Sequence, residues 1–235
     1  SQWTGGTLTG PAAGMGQLTL SGTGPLTLPG GGDKLFNGAV TNAGTLVWQQ
    51  GLIRATANGS TFTNTGLIDL QGDGTSFNLD IAGNTVVNAV GGTLRRSVGT
   101  GIASVSMLLT NNGTIDVDTG ILRLVGGGSS TGVVDVATDA TFNLGGGSFA
   151  FQNGASNVGA GFVQVSGGTV DLNGANSFTN LQITGGTLNA NGAAQVANLR
   201  INGGIVSGAG MLTLTGPSSQ WTGGTLTGPA AGMGQ

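Results

Sequence analysis

Apolar and polar residues alternate along this chain in short bursts, and each burst opens on glycine. The phrase is Gly-x-apolar-x-apolar. Its clearest copies are Gly168-Thr169-Val170-Asp171-Leu172, Gly186-Thr187-Leu188-Asn189-Ala190 and Gly204-Ile205-Val206-Ser207-Gly208, evenly spaced along the chain. A two-residue period predicts strand rather than helix. Recurrence at a nearly fixed interval predicts a solenoid, in which each repeat is one coil stacked on the next.

Residues 162–208 show the content of one coil. Phe162-Val163-Gln164-Val165 returns as Asn180-Leu181-Gln182-Ile183 and as Asn198-Leu199-Arg200-Ile201. A Gly-Gly corner follows each time, at 167–168, 185–186 and 203–204, and then a second strand. A third strand holds Phe178 and Val196. Three apolar columns are therefore predicted to point inward: Val163, Leu181 and Leu199; Val165, Ile183 and Ile201; Val170, Leu188 and Val206. Burying one such aliphatic side chain contributes about 1.5–3 kcal/mol. Parallel pairing between coils sets them about 4.8 Å apart. Glycine suits the corners because it adopts positive φ without strain. Asn173, Asn180, Asn191 and Asn198 suit them because asparagine tolerates the same region and stacks in hydrogen-bonded ladders.

The central residues of successive phrases run Thr9, Thr27, Val47, Asp69, Arg95, Asp116, Asp135, Ala150, Asp171, Asn189, Ser207 and Thr227, at uneven gaps. The shortest gap precedes Ala150. This threading predicts an all-β fold, a right-handed parallel β-helix (β-solenoid) with eleven coils per unit, each of roughly 18–26 residues. One unit is residues 1–218. A left-handed hexapeptide coil fits less well, because Val163, Val165, Val170 and Leu172 are not spaced by six. The same threading sets Asp69, Arg95, Asp116, Asp135 and Asp171 in one outward charge ladder.

The two ends are identical. Residues 1–17 and 219–235 both read SQWTGGTLTGPAAGMGQ. A match of that length is a duplication rather than a convergent strand pattern. Residues 1–218 are expected to form one solenoid unit and 219–235 to open the next, with Trp3 and Trp221 at the junction. The chain starts mid-pattern and is expected to be an excerpt from a longer tandem array.

Composition narrows the chemistry. Of 235 residues, 50 are Gly and only 6% are charged; there is no His, Cys or Tyr, and the net charge is −3. The chain also lacks Glu and has a single Lys, Lys34. This argues against helix surfaces, which favour both types. A mean hydropathy of +0.21 argues against disorder. Scattered Arg and a mildly acidic balance exclude a nucleic-acid stripe. No apolar run is long enough for a membrane helix. Without His, Cys, Glu or Tyr, acid–base and nucleophilic catalysis have few candidates, so no enzyme activity and no cofactor are expected. Asp116 and Asp118 share a strand face and are the metal candidates, although a solvated face is the plainer reading. Gly30-Gly31-Gly32-Asp33-Lys34-Leu35-Phe36-Asn37-Gly38 departs from the calcium-binding nonapeptide: its Asp sits at the wrong offset and no second copy stacks on it. The Thr-x-Thr pieces do not repeat on every coil, as an ice-binding face requires.

The phrases Gly-Gly-Thr-Leu-Thr-Gly (Gly5–Gly10, Gly223–Gly228), Asn-x-Gly-Thr-Ile/Leu (Asn42–Leu46, Asn111–Ile115) and Leu-Thr-Leu-Ser-Gly (Leu18–Gly22) resemble the filamentous haemagglutinin and autotransporter passenger repeats of Gram-negative bacteria. The resemblance spans the chain and is compositional. It implies a right-handed β-helix at the bacterial cell surface, acting as an adhesin stalk or matrix fibre, with no functional residue carried over. Two readings follow. One is a structural extracellular filament whose partners are neighbouring identical units. The other is an adhesin that binds glycans or cell surfaces through repeated outward columns; the wide coil around Asn78–Arg95 is its one candidate insertion.

Overall fold

The computed structural model describes residues 1–9, 18–78 and 81–228. Residues 10–17 and 229–235, the second parts of the duplicated segment, lie outside the described residues, as do 79–80 within the wide coil. The described residues form parallel strands and no helix, arranged as a β-solenoid of about ten turns.

Most strands are four residues long and pair with the strand three along the chain, until the long strands Asn176–Ile183 and Ala193–Ser207 each span more than one face; the strands fall into three stacked faces. The first face runs from Gly6–Thr9 through Lys34–Asn37 and Leu52–Ala55 to Phe162–Val165 and on to Gln220 and Trp221. The second holds Ala39–Asn42, Thr61–Asn64, Thr169–Leu172 and Thr187–Ala190. The third holds Thr45–Trp48, Leu67–Leu70, Thr93–Arg96, Thr114–Val117 and Val133–Val136. Turns differ in length. The turn from Phe77 to its partner Val105 is half as long again as the turn from Ile183 to its partner Ile201. The variation sits in the corners, because strands must keep their in-register pairing while loops lengthen at little cost.

Alternation decides what lies inside. Strand after strand shows a half-buried, buried, half-buried, buried order. Val163 pairs with Leu181 and Leu181 with Leu199; Val165, Ile183 and Ile201 pair likewise, as do Val170, Leu188 and Val206. All nine are buried in one continuous core. Aromatic rings thicken it in two places. Phe62 lies 5.5 Å from Phe36 and 5.4 Å from Phe77, whose ring meets Trp48 edge-on at 4.9 Å. Further along, Phe151 lies between Phe149 and Phe178, at 5.2 and 5.0 Å.

The glycine corners stack as closely as the strands do. Gly186 has φ +67°, and a Cβ there would lie 2.7 Å from the backbone of Gly167 and Gly168 in the turn below. Successive corners pack backbone on backbone, so a side chain is excluded by space as well as by φ.

The register corrects the threading. Asp135 pairs with Asp116 and Val158 on the third face, whereas Ala150 pairs with Asp171 on the second. The short step before Ala150 therefore changes face instead of completing a turn. The step from Thr9, on the first face, to Thr27, on the third, does the same. The phrase marks a corner, and corners on different faces share it; that is why the eleven steps make about ten turns.

Candidate functional site

Among the described residues, an internal amide ladder, an outward charged column, two inward cations and the C-terminal end of the stack stand apart from the plain apolar core.

The amide ladder runs inside the second face. Asn42 pairs in register with Asn64, Asn64 with Asn88 and Asn88 with Asn111. Each donates from Nδ2 to the next Oδ1, at 2.8, 2.8 and 2.7 Å. Asn111 ends the series by donating to Ser130 Oγ at 3.0 Å. The same Nδ2 groups reach backbone carbonyls: Asn64 to Gly66 and Thr93, Asn88 to Thr114. All five side chains are buried. A buried amide without partners costs free energy, but a fully connected row does not leave one bare. After Ser130 the column turns apolar with Phe151 and Leu172. Sequence reasoning placed ladders elsewhere, at the 173/191 and 180/198 corners. Those also form: Asn191 donates to Asn173 at 3.2 Å and Asn198 to Asn180 at 2.9 Å. The signal for the buried ladder was an asparagine before a glycine corner at 42, 64, 88 and 111, in nearly even steps.

The outward column on the third face brings together Asp69, Arg95, Asp116 and Asp135 in consecutive turns. Arg95 donates to Asp69 at 3.1 Å, and Gln71 adds a bond to the same carboxylate at 3.0 Å. Burial works against the Asp69 charge, yet these donors and the guanidinium charge hold its carboxyl below the usual range. The bond to Asp69 raises Arg95 further above its own. Asp116 goes the other way: burial, then the charges of Asp118 and Asp135, push its carboxyl up against the opposing pull of Arg95. The fifth predicted member, Asp171, is not in this column. It lies on the second face between Ala150 and Asn189 and accepts from Asn189 at 2.8 Å. The reason is the change of face at the short step before Ala150.

Asp118 follows the strand that carries Asp116 and is exposed. Among the described residues, no group of three or more acidic, His or Cys side chains is gathered to hold a metal ion. In the 30–38 segment, Asp33 pairs with Arg54 at 2.6 Å. Lys34 turns inward and is fully buried, its ammonium on the carbonyls of Gly30 and Gln50. Burial depresses its pKa, against the pull of Asp33. Arg96 is the other inward cation; it reaches the Leu70 and Gly72 carbonyls and pairs with Asp73 at a corner. Both occupy inward strand positions that a count of charged residues alone does not reveal.

Among the described residues, the C-terminal end of the stack has no strand above it. Leu212, Leu214, Trp221 and Leu226, with Leu199 and Ile201 beneath, line a hollow of about 540 Å³. Trp221 is 59% exposed there, whereas Trp3, its counterpart in the duplicated segment, is 7% exposed. Among the described residues, the strands Met211–Leu214 and Gln220–Leu226 that bound this hollow have no further strand paired beyond them.

No family model, curated protein or solved structure matches this chain.

Proposed function

We propose that the chain is a segment of a structural filament, a β-solenoid lengthened by identical units and serving as an extracellular stalk, matrix element or cell-connecting fibre. The observation that carries this reading is the letter-for-letter identity of residues 1–17 and 219–235 on one continuous stack of parallel turns. A rod of parallel turns gains stability from each neighbour it stacks on, so repetition of the unit extends it without a new fold. An uncovered strand edge pairs readily with further chain. The bacterial cell surface, suggested by the compositional resemblance, is part of the proposal.

The adhesin reading has less to rest on. Glycan platforms use aromatic faces turned to solvent, but Trp48 is fully buried, Trp3 nearly so, and Trp221 belongs to the end of the stack.

Electron microscopy of chains carrying several units tests the proposal. Straight, unbranched rods are expected, lengthening by roughly 50 Å per unit at about 4.8 Å per turn. Compact particles that do not lengthen, or saturable binding on a glycan array, would favour the adhesin.

A further inference from the structure

The duplicated segment occupies two different places in the stack. In the first copy, Gln2 bridges Thr27 on the third face, and Gly6–Thr9 pairs with Lys34–Asn37 on the first. In the second copy, Gln220 and Trp221 sit on Arg200 and Ile201 of the first face, and Thr225 and Leu226 sit on Ile205 and Val206 of the second. The sequence is the same and the position is one face further round. Leu8 to Leu226 is thus ten turns and one face, not a whole number of turns.

We propose that the segment is a rotating joint: each unit continues the last with its pattern turned by one face of three. This rests on the filament reading, since it requires identical units in succession. The two copies show the two sides of one joint. The first copy is covered only by turns that follow it, and the second is seated only on turns that precede it. A segment inside an array uses both edges at once.

On each face the composite carries an apolar inward column across the joint. On the first face Ile201 and Trp221 continue into Leu28 of the following unit, because Gln2 bridges Thr27 and Trp3 donates to its carbonyl at 2.8 Å. On the second face Val206 and Leu226 continue into Phe36 of the following unit, the partner of Leu8. On the third face the open strand Met211–Leu214 carries Leu212-Thr213-Leu214, and the strand due above it is Leu18–Leu20, again Leu-Thr-Leu. Its register partners are the inward Val40 and Asn42, so its two leucines also face inward. Leu214, half exposed at the end of this chain, is covered in the array.

The unrotated alternative is strained by chain length. It needs Trp221 on the third face directly above Leu214, only a few positions earlier in the chain. Even the short turn from Ile183 to Ile201 takes more than twice that length. The strand Met211–Leu214 would have to leave the stack.

Rotation moves each surface pattern round the axis. The Asp69–Arg95–Asp116–Asp135 column appears on a new face in each unit and returns after three units, roughly 150 Å along the axis. Partners at the side of the rod would meet the same column on alternating faces.

The absence of Cys permits a direct test in the whole chain, lengthened at its C-terminus by a second run of residues 18–235. Adjacent in-register strands bring Cα atoms within disulfide reach. Three double variants are compared on non-reducing gels: Ile205→Cys with Thr225→Cys, Thr225→Cys with Leu35→Cys of the second unit, and Arg200→Cys with Thr225→Cys. The first two are expected to close and shift mobility, and the third is not. Closure of the third pair in place of the first overturns the rotation while leaving the filament intact. If the second pair stays open, the joint does not use both edges, and both the rotation and the seamless filament fail.

Discussion

Replacing Asn88 by alanine removes the middle of the buried amide ladder. Three hydrogen bonds go: from Asn64 at 2.8 Å, to Asn111 at 2.7 Å and to the Thr114 carbonyl at 2.9 Å. Each contributes about 1 kcal/mol net. Asn64 keeps its bonds to Gly66 and Thr93, but the Asn111 oxygen is left bare in a dry core, at about 1–3 kcal/mol. Asn88→Ala should therefore destabilise by about 4–6 kcal/mol. Asn88→Asp should be worse at neutral pH, because a carboxylate cannot donate to Asn111 and its charge is buried. It should recover in part as pH falls, since protonation restores a donor. Asn202→Ala is the comparison: its bond to Thr222, at 3.1 Å, is exposed and worth little. The assay is urea unfolding followed by far-UV circular dichroism, with hydrogen exchange locating the loss to the turns between residues 64 and 111. If Asn88→Ala and Asn202→Ala share a midpoint, the ladder is not a structural element and the reasoning fails.

Two further predictions concern the apolar columns and the charged one. Ile183→Ala, between Val165 and Ile201, should cost about 2–5 kcal/mol by opening a cavity that neighbouring turns cannot close, read from the same urea midpoints. Asp116→Asn should stabilise by about 0.5 kcal/mol at neutral pH, where the folded state disfavours the charge. Because the folded carboxyl has the higher pKa, that gain should fade as pH falls through it and vanish below the ordinary carboxylate range near ~4. Asp69 has the opposite sign: its depressed pKa gives stability that is present above that range and lost as pH falls below it. Arg95→Ala should abolish most of the Asp69 contribution, as shown by a flatter stability profile between neutral and acid pH.

The strand period and the inward columns were legible because both depend on local alternation, which a chain of short strands repeats. Val165, Ile183 and Ile201 could be aligned by eye, since their turns have equal length. The threading lost its place where turn length changes, because nothing in Gly-x-apolar-x-apolar distinguishes one corner from another. Asp171 was misplaced for that reason. The buried Asn42–Asn111 ladder was hidden by residue type: asparagine reads as a surface or turn residue, and only stacking makes its burial tolerable. Lys34 and Arg96 were hidden likewise, because their heads escape to corner carbonyls that the sequence does not show. The duplicated segment was visible at once, but its two positions on the stack needed the register.

The central claim is a single axis along which turns pile at a constant spacing. Electron–electron resonance distances between spin labels on paired cysteines measure it directly. Gln182 lies on the first face, and from it the strand of Arg54 is six pairing steps away, that of Leu35 seven and that of Thr7 eight. At about 4.8 Å per step, the three distances should be roughly 29, 34 and 38 Å, rising by one turn spacing each time. Distances that do not increase in that order would contradict the stack.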